Sequence, residues 1–178
     1  AAYFAGAAVL SSILGIGFSP IFEAVFAVVT PQKLMELSNP NHPLLRRLQT
    51  ETPGTYHHSL IVANLAEAAA RSIGADDLLA RVGAYYHDIG KLKRPVMFKE
   101  NQIGGDNPHE RMDPYVSAAV VTAHTKDGAT LAAQYKLPKS IVDIILQHHG
   151  QTDAAYFYVE AQKAADERGQ GEIVNASD

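Results

Sequence analysis

The sequence predicts an all-α protein, and three observations support that class. Beyond residue 57 apolar side chains recur at helical spacing, as in Ile141, Ile144, Ile145 and His148. Proline and glycine punctuate the chain between these segments, at positions where helices begin and end. The 178 residues contain no alternating apolar stretch of useful strand length. We therefore expect a helical bundle, and the first residues predict a membrane helix before it.

The membrane prediction rests on residues 1–22, which include no charged residue. A helix needs about 20 predominantly apolar residues to cross a bilayer. A buried N-terminal helix and a signal peptide are the competing interpretations, but a signal peptide would have a basic start. We expect residues 1–29 to be the last transmembrane helix and its exit from the membrane.

Residues 30–56 are interpreted as a juxtamembrane connector. Thr30 followed by Pro31 predicts the start of a short helix. Lys33, Arg46 and Arg47 give this segment a mild positive excess, which favours a cytoplasmic location. The cell membrane is then the expected location, with the domain of residues 57–178 facing the cytoplasm.

Composition restricts the function of that domain. The net charge is −4, so the chain lacks the basic surface of a duplex-binding protein, and we expect no nucleic-acid polymer as partner. The absence of cysteine excludes disulfides, thiolate-bound zinc and a cysteine nucleophile.

Helical spacing divides the domain into successive helices. A stripe from His58 through Ile61 and Leu65 to Ala69 is expected to be buried. The next helix is predicted from Leu78 to Ile89, and Gly90 is placed to end it. The following loop, residues 93–114, is long enough to be functional. We expect it to cover a substrate, with Phe98, Asn101 and Gln102 facing a nucleobase.

Histidines on the inward stripes are the candidate metal ligands. His58, His124 and His148 each lie near a helix end, and buried imidazoles are costly unless they are bonded. His149 lies on a second apolar stripe beside His148. Imidazole and carboxylate are ligands that first-row transition metals accept.

His42, His57 and His109 are not candidate ligands. His57 lies on a mixed face, whereas His42 and His109 are expected to face solvent.

The pair His87-Asp88, at the end of an apolar helix, is the centre of this pattern. Aspartate has two oxygens and can bridge two metals, which a histidine cannot do. We therefore interpret Asp88 as the centre of a two-metal phosphodiesterase site.

These residues resemble the HD superfamily of metal-dependent phosphohydrolases, and the surrounding motifs are similar to the bacterial seven-transmembrane HD family of the PgpH type. The motifs are Leu34 to His42, Thr52-Pro-Gly-Thr-Tyr-His-His-Ser59, Val62 to Ala68, Leu79 to Lys91, Glu100-Asn-Gln102 and Gln147-His-His-Gly150. The resemblance implies an all-α HD-domain helical bundle that hydrolyses cyclic di-AMP to pApA with two manganese or iron ions.

The resemblance also implies a role for each matching residue. His58, His87 and Asp88 would hold one metal, and the other would be held by Asp88, His124, His148 and His149. Lys91 would lie beside the substrate phosphate. The family has a further metal-binding aspartate on a later helix, for which no residue here is assigned, so the domain is interpreted as C-terminally truncated.

In the implied mechanism a metal-activated hydroxide attacks phosphorus, and the metals and Lys91 stabilise the charge that develops. Two alternatives stay open: an HD hydrolase of cyclic di-GMP or ppGpp, and a non-catalytic HD sensor. The Gly-Tyr-Pro signature of the cyclic di-GMP enzymes is absent after Gly150. Sensors usually lose ligands, whereas all six candidates are present. The expected partners are a cyclic dinucleotide and the membrane, with a homodimer left open.

Overall fold

The computed structural model describes residues 2–26, 28–102, 104–150, 152 and 154–167. Within these ranges the chain forms α-helices and short 3₁₀ turns and no strand, which confirms the all-α class. The α-helices are α1 Ala2–Phe26, α2 Pro31–Leu37, α3 Pro43–Glu51, α4 Pro53–Ser72, α5 Asp77–Tyr86, α6 Pro114–Thr122, α7 His124–Gln134, α8 Lys139–Gln147 and α9 Ala155–Glu167. The 3₁₀ turns are Ile89–Lys93, Pro95–Met97, Lys99–Asn101 and Pro108–Arg111.

Local chemistry explains where several helices begin. Proline occupies the first position of α2, α3, α4 and α6, where its missing N–H costs no hydrogen bond. The Thr30 side chain accepts from the Lys33 amide and caps α2, as the sequence predicts. Asp76 caps α5 in the same way by accepting from the Leu79 amide.

Helices α2 and α3 contribute side chains to the same hydrophobic core as the helices that follow them. The buried leucines of this pair are Leu34, Leu37, Leu44, Leu45 and Leu48. They pack with buried residues of α5 and α8, including Tyr86 and Ile141. The Tyr86 hydroxyl donates to the Leu37 carbonyl at 2.7 Å, which fixes α2 against α5. The division of the chain at residue 57 stays a prediction.

The expected buried stripe of α4 was wrong. Ile61 and Leu65 are 59% and 66% exposed, whereas Ser59, Ala63 and Ala70 are buried. Helix α4 packs along α5, and the small side chains on this face allow the two backbones to approach closely. The apolar pattern predicted a helix correctly but selected the wrong face, because it followed the largest side chains.

Helix α5 ends earlier than the sequence predicts. It stops at Tyr86, and a 3₁₀ turn begins at Ile89. Gly90 does not end the helix, and it is absent from the glycines with positive φ. It is required by close packing, because a Cβ there would lie 1.8 Å from the His124 carbonyl oxygen and 2.6 Å from the Gly128 nitrogen.

Small residues on α5 also allow a neighbouring helix to approach. A Cβ on Gly83 would lie 2.4 Å from Cδ1 of Ile144 on α8. Together with Gly90, this residue brings α5 and the turn after it against α7 and α8. Three of the segments that carry candidate ligands are thereby held close together.

Helix α1 covers the segment for which a membrane span is predicted. Among the described residues, however, no helix combines the length and the apolar character that crossing a membrane requires. Serines, glycines and Glu23 interrupt the apolar side chains of α1. The predicted transmembrane helix is therefore not confirmed.

Candidate metal centre

Asp88 lies directly after α5 and is 2% exposed. Its Oδ2 atom is 3.1 Å from Nε2 of His87 and 3.8 Å from Nε2 of His58. The same oxygen lies 2.8 Å from Nζ of Lys91. One oxygen of this carboxylate therefore faces two imidazoles and a lysine ammonium.

The other oxygen of Asp88 faces a different pair of imidazoles. Oδ1 lies 3.4 Å from Nε2 of His124 and 3.6 Å from Nε2 of His148. It is buried and has no hydrogen-bond partner within the described part of the chain. A buried carboxylate oxygen without a partner is costly, so this atom calls for a ligand that the protein itself does not supply.

His149 completes the second group of imidazoles. Nε2 of His124 lies 3.2 Å from Nε2 of His148 and 3.2 Å from Nε2 of His149. The ligand atoms of these three residues lie within 4.8 Å of one another. The same holds for His58, His87 and Asp88. The structure thus brings together all six predicted ligands, in two groups on either side of Asp88.

Three of the histidines share one hydrogen-bonding pattern. In each, Nδ1 bonds to the backbone carbonyl three residues earlier, at or just beyond the end of a helix. The pairs are His87 with Ala84, His124 with Val121, and His148 with Ile145. Because a carbonyl can only accept, Nδ1 carries a proton, and Nε2 is the ring nitrogen that faces the centre.

This pattern supports metal binding. Two neutral imidazoles that both donate through Nδ1 cannot hydrogen-bond to each other through Nε2, yet these atoms of His124 and His148 are 3.2 Å apart. A cation that accepts both lone pairs would remove the conflict. Metal-binding histidines commonly have their other ring nitrogen fixed by a carbonyl or carboxylate. The donor set therefore fits one or two divalent transition metals.

The electrostatics differ between the two groups. Burial lowers the pKa of His148 to about 4, and burial also lowers the pKa of His149. Burial opposes protonation of His87 too, but the hydrogen bond and charge of Asp88 outweigh it and raise the pKa of His87. Burial likewise opposes ionisation of Asp88, but His87 and Lys91 hold its pKa well below the usual range.

Acidification should weaken the contribution of His148 to the stability of the metal-free protein between pH 6.5 and about pH 4. The unfolded chain protonates residue 148 near the ordinary histidine pKa of 6.5, whereas the folded protein does so only near 4. The stability from neutral His148 is complete above pH 6.5 and is lost as the pH falls, on the order of 2 kcal/mol. Urea unfolding of the protein and of His148→Gln across this range measures the effect. A decline equally steep in His148→Gln would contradict it; His57→Gln, at an exposed position, is the control.

The exposed fractions of the histidines depart from the sequence prediction. The side chain of His58 is 47% exposed, so it lies at the opening of the centre and not on a buried stripe. His149 is also exposed, although its ring reaches His124. His42 and His109 are partly buried, against the rings of Tyr86 and Phe157, and not in solvent as expected.

In the loop of residues 93–114, the three residues expected to face a nucleobase make contacts within the protein, and their contact with a base stays a prediction. Phe98 is 6% exposed and packs edge-on against His124, with ring centroids 5.7 Å apart. Asn101 bonds to Thr55, and Gln102 bonds to the Val96 carbonyl. Phe98 therefore packs against a candidate ligand, and Asn101 is fixed by Thr55.

Glu100 is a feature of the site that the sequence analysis assigned no role. Its Oε1 accepts from Lys91 Nζ at 2.7 Å. The motif Glu100-Asn-Gln102 carried part of the family resemblance, but nothing in its composition shows which residue it contacts. The partner lies nine positions earlier in a 3₁₀ turn, where no periodic rule applies.

The fold and the two-sided ligand cluster define a known class: residues 55–175 match the HD domain, and the chain belongs to the HD domain family. Among its relatives are two proteins named cyclic-di-AMP phosphodiesterase PgpH. The chain is 55% identical over 157 residues to that of Bacillus subtilis, which is 88% of this chain and 22% of the relative. It is 54% identical over 151 residues to that of Listeria monocytogenes, which is 85% of this chain and 21% of the relative.

Solved structures show the same likeness. The HD domain of L. monocytogenes PgpH in complex with cyclic-di-AMP superposes with a TM-score of 0.69 at 53% identity, over 73% of this chain and 61% of that one.

A ribonuclease Y of Acholeplasma laidlawii is a more distant relative in sequence, with 30% identity over 109 residues, which is 61% of this chain and 16% of the relative. The chain spans about a fifth of the length of the PgpH relatives.

Proposed function

We propose that this protein is a metal-dependent phosphodiesterase that hydrolyses cyclic di-AMP to pApA. The observation that carries the proposal is the position of Asp88, whose two oxygens face two separate groups of imidazoles. The similarity to HD domains of PgpH proteins, one of them solved with cyclic-di-AMP, supports the choice of substrate.

The chain's own residues have defined tasks in this reaction. His58, His87 and Asp88 would hold one metal, and the other would be held by Asp88 with the three imidazoles of the second group. The second group consists of His124, His148 and His149. Metals bound there would supply positive charge for the phosphate and lower the pKa of a water molecule.

Lys91 would act on the substrate itself. Its ammonium lies 2.8 Å from Asp88 Oδ2, so a phosphate oxygen above the centre comes within reach of it. The side chain is 13% exposed, which limits competition from water. A fixed positive charge at that position stabilises the negative charge that grows on the phosphate in the transition state.

Turnover of cyclic di-AMP with added Mn²⁺ is the direct test, with cyclic di-GMP as the competing substrate and the chelated protein as control. We expect conversion of cyclic di-AMP to pApA, visible by chromatography and mass spectrometry. Faster cleavage of cyclic di-GMP would contradict the substrate, and metal binding without turnover of either would contradict the reaction.

Manganese or iron as the native metal is part of the proposal. One carboxylate and neutral imidazoles form a mixed oxygen and nitrogen site that accepts either ion. Metal analysis of protein purified without added metal, followed by turnover with each ion in turn, distinguishes them. Two zinc ions that support the highest rate would contradict this assignment.

We also propose that α1 places the protein at the cell membrane, with the catalytic domain on the cytoplasmic side. Large apolar side chains of α1 are exposed, among them Phe4, Ile13 and Ile16. Apolar surface of this extent marks an interaction site. Flotation with phospholipid vesicles tests the contact, and failure to float would contradict it. A homodimer stays a prediction.

A further inference from the structure

Lys91 is held from two sides by carboxylates. Its ammonium lies 2.8 Å from Oδ2 of Asp88 and 2.7 Å from Oε1 of Glu100. A lysine side chain is flexible, with three donors on a rotating head, so two fixed acceptors restrict its position strongly. The ring of Phe98, with its centroid 5.0 Å from Nζ, limits a third side.

The two carboxylates differ in what else they do. Both oxygens of Asp88 face candidate metal ligands, so this carboxylate is shared between two groups. Glu100 belongs to neither group of candidate ligands. Its contact with Lys91 therefore does not depend on its being a metal ligand.

Glu100 is itself fixed by the first turn of α4. The Thr55 hydroxyl donates to Glu100 Oε1 at 3.2 Å, and Thr55 is fully buried. The neighbouring Asn101 bonds to Thr55 twice: its Oδ1 accepts from the backbone N–H at 3.0 Å, and its Nδ2 donates to the hydroxyl at 2.8 Å. The orientation of the Glu100 carboxylate is thus set by a residue 45 positions earlier.

The backbone supports the same contact. A Cβ on Gly54 would lie 1.8 Å from the Glu100 carbonyl oxygen, so only glycine permits this approach. Gly54, Thr55, Glu100 and Asn101 form one unit, which we name the α4 clamp. It joins the start of the motif at residues 52–59, which also carries His58, to the motif at residues 100–102, which carries no candidate metal ligand.

We propose that Glu100 is a positioning residue for phosphodiester hydrolysis. Within the α4 clamp, Gly54, Thr55 and Asn101 fix Glu100. Glu100 in turn holds the Lys91 ammonium beside Asp88, where the substrate phosphate enters. The inference rests on the proposed function for its catalytic consequence. The pairing of Lys91 with Glu100 stands on geometry alone and can be measured without substrate.

The kinetic test is a double-mutant cycle of Glu100→Ala with Lys91→Met. Misplacing a catalytic group costs up to about a hundredfold in rate, so we expect Glu100→Ala to lower kcat by about ten- to a hundredfold, with KM changed less than about threefold. In the Lys91→Met background the same change should lower kcat by less than about twofold. Glu100→Gln keeps an oxygen that accepts from Lys91 and should restore part of the rate.

The second readout is thermal unfolding of the metal-free protein with the same variants. Each single substitution should lower Tm by a few degrees, at about 2–4 °C per kcal/mol for a chain of this size. The double variant should lose clearly less than the sum of the two single losses, because both substitutions remove the contact between Lys91 and Glu100. Glu110→Ala, an exposed glutamate in the same loop, is the matched control and should change neither kcat nor Tm.

The two readouts separate this inference from the proposed function. Additive losses in Tm, or a kcat loss in the Lys91→Met background as large as in the parent, overturn the positioning role of Glu100. If the parent protein cleaves no cyclic dinucleotide, the proposed function fails. Non-additive Tm losses would still support the pairing of Lys91 with Glu100 in that case.

Discussion

Replacing Asp88 with asparagine is expected to remove at least one metal and nearly all turnover. The amide nitrogen of asparagine cannot bind a metal, so at most one of the two ligand groups keeps an oxygen. Loss of a supporting residue around a metal site costs ten- to a hundredfold, and a shared direct ligand costs more, so we expect kcat/KM to fall by at least about a thousandfold. Metal content by mass spectrometry and turnover of cyclic di-AMP give the two measurements.

Asp143→Asn is the matched control for that experiment. Asp143 pairs with Lys139 on the surface of α8, and such pairs contribute little to stability. This variant should keep two metals and the parent rate. An Asp88→Asn protein that still holds two metals would show that the two groups of imidazoles do not share this carboxylate.

Replacing Gly90 with alanine is expected to destabilise the fold and to displace His124. The added Cβ would meet the His124 carbonyl oxygen and the Gly128 nitrogen, both backbone atoms of α7 that cannot turn aside. Overpacking of this kind costs about 3 kcal/mol or more, which lowers Tm by about 10 °C. The metal between the second group of imidazoles should be lost first. Calorimetry and metal content measure the two effects.

A series of glycines provides the comparison. A Cβ at Gly83 would meet the flexible end of Ile144, so Gly83→Ala should cost less than Gly90→Ala. A Cβ at Gly15 on α1 meets nothing within 4 Å, and Gly15→Ala should leave Tm unchanged or slightly raised. Equal losses at Gly83 and Gly90 would show that backbone contact with α7 is not the cause.

Helical spacing together with residue chemistry was enough to predict the all-α class and to select the candidate ligands that the structure brings together. His124 and His148 show why. Each lies on an apolar stripe near a helix end, where a buried imidazole needs a partner. The close approach of Asp88 to His124 and His148 could not be predicted from spacing in the sequence, because it depends on how α5, α7 and α8 pack.

The errors have physical causes. The stripe predicted on α4 followed Ile61 and Leu65, but packing against α5 requires small side chains and buries Ser59 and Ala63 instead. A prediction from hydrophobicity favours large apolar side chains, whereas close contact between two helices requires small side chains.

Helix α5 was predicted too long for a different reason. The His87 side chain bonds to the Ala84 carbonyl, which the Asp88 amide would take if the helix continued. Apolar periodicity carries no information on this competition. The same competition occurs at His148 with the Ile145 carbonyl.

Helices α5 and α8 both direct their C-terminal ends at the metal centre, since His87 and His148 cap them. The aligned peptide dipoles place about half a negative charge at each end. These two ends and the Asp88 carboxylate favour a cation at the centre, although α7 begins at His124 and its N-terminus contributes positive charge there. We therefore expect the metals of the proposed site to bind before the anionic substrate.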